Sequence, residues 1–297
     1  MVDWQAAWHR MLARLPQRVA YPLATRMAYF RDDARPTARA RVSAAIARAL
    51  PELGEAAADR AAASLPRMWE REIQDAYRLS RLNRARMNRL IRLHGIERFH
   101  AARRDGRPLI LYSAHFNRLI LPAIALALNE KLAIHSLVAD IDNPALPAGE
   151  RRYLAMKLRE MGRLLGGEVI ARGRGTRALY RVLHAGGVLV VIVDAPAAAG
   201  DRPIQIPFLN GHGRFSPGIL KLARRYNARL LPYFAVERDG ALHGEIGASV
   251  KIDGCDEEQA LRAILAPVEA MIRAHPEQWW MWPHLDAIWT PVGAETD

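Results

Sequence analysis

The chain has 297 residues, half of them apolar and a quarter charged, so it can build a sizeable core and wholesale disorder is excluded. Lys and Arg number 43 against 31 Asp and Glu, a formal net charge of +12 carried mostly by Arg, and a basic surface of this kind points to an anionic partner. Cys255 is the single cysteine, which excludes an internal disulfide and a cysteine-based zinc site.

Residues 1–30 place Trp4, Trp8, Met11, Leu12 and Leu15 at i, i+4, i+7, i+8 and i+11, with Arg10, Arg14 and Arg18 between them. This spacing predicts a basic amphipathic helix that either docks on the protein's own core or lies on an anionic membrane surface. The segment lacks the apolar centre of a secretory signal, and no run reaches the ~20 apolar residues of a spanning helix. The expectation is a cytoplasmic protein, peripheral to the inner membrane. Residues 37–104 are rich in Ala, Arg, Leu and Glu and read as two or three helices broken near Pro51 and Pro66. Arg78, Arg81, Arg84, Arg86, Arg89 and Arg92 then line a helix, as a solvated face or as a contact for an acidic carrier or phosphate head groups. No nucleic-acid motif or interleaved aromatic accompanies them, so nucleic acid is not expected as a partner.

From residue 106 the pattern changes. Strand-like apolar runs at Leu109–Ser113, Ala133–Val138, Glu168–Ala171, Val188–Val193, Arg229–Val236 and His243–Val250 are separated by helical segments at Leu119–Leu128, Glu150–Leu165, Thr176–His184, Gly218–Tyr226 and Glu257–Ala274. Such alternation predicts an α/β fold, a mixed, largely parallel sheet flanked by helices. The organisation expected is a helical N-terminal segment over 1–104 and an α/β domain over 105–297.

The run Leu109–Ser113 ends at Ala114-His115, which puts an imidazole at the carboxyl end of a strand, where open α/β sheets place their chemistry. Asp194 closes Val188–Val193, a costly place for a carboxylate unless it faces a polar cleft or a cation. Arg172-Gly173-Arg174-Gly175 follows another strand and offers guanidinium and backbone groups to an anion. Ser216-Pro217 reads as a helix N-cap with Pro at the first helical position, a seat for phosphate or an oxyanion. Gly211, His212 and Arg214 precede it. Asn117 and Arg118, just past the histidine, are further candidate substrate contacts. The tryptophans at 279, 280, 282 and 289 read as packing.

In this order the segments resemble the lysophospholipid acyltransferase superfamily, most closely its late lipid A acyltransferase branch. The resemblance rests on Ser113-Ala114-His115-Phe116, Val193-Asp194, Ile206-Pro207-Phe208, the Ser216–Ala223 helix, Leu231-Pro232-Tyr233-Phe234 and the stretch from His275 to His284. It implies transfer of an acyl group from an acyl carrier protein or coenzyme A thioester, as co-substrate, to a hydroxyl, with no metal and no other cofactor. It also implies a histidine base oriented by an acid five positions later. His115 matches the base, but the position of the acid holds Ile120. Asp194 is the first candidate to replace it. An amine acceptor that needs less activation, a tailoring transferase of a specialised pathway, and a non-catalytic lipid- or carrier-binding homologue are the alternatives. The oligomeric state is not legible.

Overall fold

A computed structural model describes residues 3–33, 36–139, 146–173, 175–197 and 202–293. Helices α1 (Asp3–Leu12), α2 (Gln17–Asp33), α3 (Pro36–Ala49) and α4 (Glu55–Arg78) come first. They are followed by α5 (Arg84–Leu90), β1 (Ile91–His94) and α6 (Ile96–Arg103). The alternating part runs β2 (Leu109–Ser113), α7 (Leu121–Glu130), β3 (Ile134–Val138), α8 (Ala148–Leu165), β4 (Gly166–Ala171), α9 (Thr176–His184) and β5 (Val188–Ile192). A hairpin of β6 (Ile204–Phe208) and β7 (Gly211–Phe215) interrupts it before α10 (Gly218–Tyr226), β8 (Arg229–Arg238), β9 (Ala241–Ile246), α11 (Glu257–Ala274) and β10 (Trp289–Pro291).

The main sheet has the order β1-β9-β8-β2-β5-β3-β4. Strands β8, β2, β5, β3 and β4 are mutually parallel, whereas β9 runs antiparallel to β8 and takes β1 parallel beside it. The fold is therefore α/β, as the alternating pattern predicts. Period-two alternation splits β2 between two cores. Ile110 and Tyr112 join Leu189, Val191, Phe234 and Val236 under α3, α4 and α11. Leu109 and Leu111 join Val188, Val190, Leu231 and Tyr233 on the other side, with α7. Helix α7 is buried from Leu121 through Ala127, which matches its lack of a polar face. A capping box of Asp256 and Gln259 starts α11.

Several local expectations need correction. Pro66 does not break a helix: α4 runs through it, because Ala58, Ala61, Ala62, Leu65 and Met68 bury one continuous face that outweighs the lost backbone bond. The arginine run is not one helix. Arg78 ends α4, Arg84, Arg86 and Arg89 lie on α5, and Arg92 sits on β1, which pairs with β9. The sheet thus draws a strand from before residue 105. The hairpin β6–β7, with β10 added antiparallel to β7, forms a separate three-stranded sheet that the alternating pattern did not foretell.

Gly211 belongs to this small sheet rather than to an open loop. A Cβ there would stand 2.3 Å from the Thr290 carbonyl oxygen and 2.5 Å from the Trp289 ring. Gly211→Ala is expected to push β10 and the buried Trp289 off the hairpin and to destabilise the fold by about 1–3 kcal/mol, the usual cost of overpacking. Chemical denaturation with tryptophan fluorescence measures it, and an unchanged midpoint would show that the strand pair yields freely.

Candidate active site

Two strand ends and the C-terminal tryptophan segment build the site. Strands β2 and β5 are neighbours in register, Ser113 beside Ile192, so their continuations carry His115 and Asp194 out of the sheet side by side. His115 Nδ1 lies 2.7 Å from Asp194 Oδ1. The backbone N–H of His115 donates to both carboxylate oxygens, at 3.0 and 2.9 Å, and Trp279 Nε1–H donates to Oδ2 at 2.7 Å. Asp194 is fully buried and the His115 side chain 30% exposed. A carboxylate at such depth is tolerable because converging donors replace the water it has lost. With Nδ1–H given to Asp194, the neutral imidazole carries its lone pair on Nε2.

The turn after His115 is clamped from behind. Trp280 N–H donates to the His115 carbonyl at 2.8 Å, and Phe116 bridges Trp279. Asn117 adopts φ 45°, the left-handed region that Asn tolerates better than most residues. Its N–H donates to the Gln278 carbonyl, and its side-chain amide donates to Gln278 Oε1 at 2.6 Å. Gln278 also accepts from Glu237 N–H and donates to the Glu237 carbonyl, both at 2.8 Å. The tryptophan segment is therefore packing that also holds the His115 turn and Asp194 in place. Buried indole N–H groups need acceptors, and that requirement was the sequence signal that could have linked Trp279 to Asp194.

The other candidates are dispersed. Arg118 is 3% exposed and turned inward: Nη1 donates to Tyr21 Oη and Asp75 Oδ2, and Nη2 to Glu237 Oε2, each at 3.2 Å. Tyr21 in turn donates to Asp75, and Arg71 and Arg67 also meet Glu237. Burial opposes the Arg118 charge, but Asp75, Tyr21 and Glu237 outweigh it and raise its pKa. Burial likewise works to raise the Glu237 pKa, yet Arg71, Arg118 and Arg67 hold it below the ordinary value. As placed, Arg118 and Asn117 bind the protein to itself.

Arg172 is half-buried at the end of β4, three strands from β2, roughly 14 Å across the sheet at ~4.8 Å per strand. Arg174 lies outside the described residues. Arg214 is exposed on β7. Ser216 is half-buried, and its Oγ is 3.4 Å from Gly218 N–H. Helix α10 spans Gly218–Tyr226 as expected, but Pro217 and not Ser216 is its cap residue. Since α10 leads into β8, its N-terminal end faces the carboxyl edge of the sheet, the side on which His115 stands. Ile120 is 5% exposed among Leu109, Leu111 and Ile124, packed in the core across the sheet. A cavity of about 190 Å³ between α1, α4 and α8 is lined by Arg10, Arg152, Tyr77 and Tyr153 and contains none of these candidates.

A histidine and a buried aspartate paired at adjacent strand ends, with the imidazole 30% exposed, make an arrangement capable of acid–base chemistry. The model of the bacterial lipid A biosynthesis acyltransferase family matches residues 2–285, and the chain belongs to that family of acyltransferases. No curated protein sequence matches the chain significantly.

Proposed function

We propose that this chain transfers an acyl group from a carrier-protein or coenzyme A thioester to a hydroxyl or amine acceptor, with His115 as general base and Asp194 in place of the acid absent at Ile120. The 2.7 Å contact between His115 Nδ1 and the buried Asp194 carboxylate carries the reading. Nε2 takes the acceptor proton as the acceptor attacks the thioester carbonyl. The tetrahedral intermediate collapses, the carbon–sulfur bond breaks, and the imidazolium returns the proton to the leaving thiolate. Asp194 holds the tautomer and stabilises the imidazolium without itself taking a proton. The ring of Trp280 lies 5.8 Å from that of His115, and Lys157 lies 5.6 Å from the Trp280 ring. Mass spectrometry of products from acyl thioesters and a lipid extract tests the reading. Thioesters left neither hydrolysed nor transferred would refute it.

The same reading places the protein on the cytoplasmic face of the inner membrane. No helix of the described residues is long and apolar enough to cross a membrane. Helices α1 and α2 and the turn between them instead bury Leu12, Ala20 and Ala24 inward and expose Trp4, Met11, Leu15, Val19 and Leu23 outward, with Arg10, Arg14 and Arg18 among them. Such a surface suits an anionic interface. Vesicles rich in anionic lipid are expected to sediment the protein, and Trp4→Glu with Leu23→Glu to leave most of it in the supernatant. Equal sedimentation of both proteins would remove this attachment.

A further inference from the structure

A second cluster of side chains, sharing no residue with the His115 site, stands on the outer strands of the main sheet. His243 and Glu245 are two residues apart on β9 and so share one face, and the β1 register sets His94 directly beside Glu245 on that face. His94 Nε2 and His243 Nδ1 meet at 2.9 Å, and the two ring nitrogens and a Glu245 oxygen all lie within 4.8 Å of one another. His243 is buried, Glu245 half-buried and His94 exposed, so the cluster has a fixed inner ligand and an open outer side. Arg238 holds Glu245 Oε1 at 2.5 Å.

We propose that His94, His243 and Glu245 form a binding site for a borderline divalent cation of the zinc class. Two imidazoles and one carboxylate are a known zinc donor set that leaves a fourth position for water. At zinc–nitrogen distances of ~2.0–2.1 Å in a tetrahedron, bound nitrogens stand about 3.3 Å apart. The two rings therefore need to part by only a few tenths of an ångström. In the metal-free cluster one imidazole must donate a proton to the other; binding exchanges the donor's tautomer, so that both nitrogens turn lone pairs to the metal. The cation would clamp the four-residue edge strand β1 to β9, independently of acyl transfer.

Titration of untagged protein with zinc chloride by calorimetry tests the site. One equivalent should bind, raise Tm, and be weakened roughly 100-fold by His94→Ala and comparably by Glu245→Gln, as expected for loss of a direct ligand. His94 is exposed and Glu245→Gln is isosteric, so both variants should still fold without metal, losing only the contacts to His243 and Arg238. Arg238→Ala, which frees the carboxylate, should tighten binding several-fold. Absence of a saturable one-to-one isotherm, or equal affinity in wild type and both ligand variants, would overturn the proposal.

Discussion

Asp194→Asn is expected to lower kcat for acyl transfer by roughly 10⁴-fold, the loss seen when the orienting carboxylate of a comparable triad becomes an amide. The carboxylate accepts from His115 N–H, His115 Nδ1–H and Trp279 Nε1–H. Asparagine has one acceptor oxygen for these donors, and its NH₂ must face one of them. The least costly repair reverses the imidazole tautomer, so that Nδ1 accepts from the amide and Nε2 carries the proton. A protonated Nε2 cannot act as base. His115→Ala should cost about 10²–10⁴-fold by removing the base itself. The double variant should be little worse than the more damaged single one, because the two residues act as a unit. KM for the thioester should change little. Steady-state kinetics beside thermal melts separates this from misfolding, and a folded Asp194→Asn variant with near wild-type kcat would rule out the dyad.

The dyad was half legible in the sequence. His115 and Asp194 each end an apolar run, and that is readable; their contact depends on β2 and β5 being sheet neighbours, which follows from strand order and not from spacing. The long periodic elements were equally plain: Thr176–His184, Gly218–Tyr226 and Glu257–Ala274 are helices at the bounds expected. What escaped was decided by tertiary contact. Ile91–His94 is four residues inside an arginine-rich stretch, and only pairing with β9 makes it a strand. Gly211–Phe215 holds two glycines and little β propensity, yet both glycines lie under aromatic rings that admit no Cβ. Arg118 looked like a ligand contact because it follows the histidine. Its carboxylate partners, Asp75 and Glu237, are 43 and 119 residues away in the chain.

These buried contacts make Arg118 the position where a stability effect should be largest. Arg118→Ala would leave Asp75, 1% exposed, without its ion-pair partner while Glu237 keeps Arg67 and Arg71, and removing one partner of a buried ion pair costs about 3–5 kcal/mol. For a chain of this size that is a Tm loss of roughly 10 °C. Arg118→Lys should recover only part of it, since one ammonium cannot reach Tyr21 and Asp75 on one side and Glu237 on the other as the guanidinium fork does. The pH dependence has a definite sign. Glu237 is held below its ordinary pKa in the folded chain, so its contribution is present above the unfolded value of about 4.3 and is lost as pH falls through the folded value. Burial holds the Asp75 carboxyl above its ordinary value despite Arg118, so losing Arg118 raises it further and protonation relieves that cost; with one of the cations on Glu237 gone as well, the stability gap between wild type and variant should narrow in acid. Melting curves of both proteins from neutral to acid pH measure it. A gap constant down to the lowest pH would place the energetic role of Arg118 in packing, and a variant as stable as wild type would leave Arg118 free to serve as a substrate contact after all.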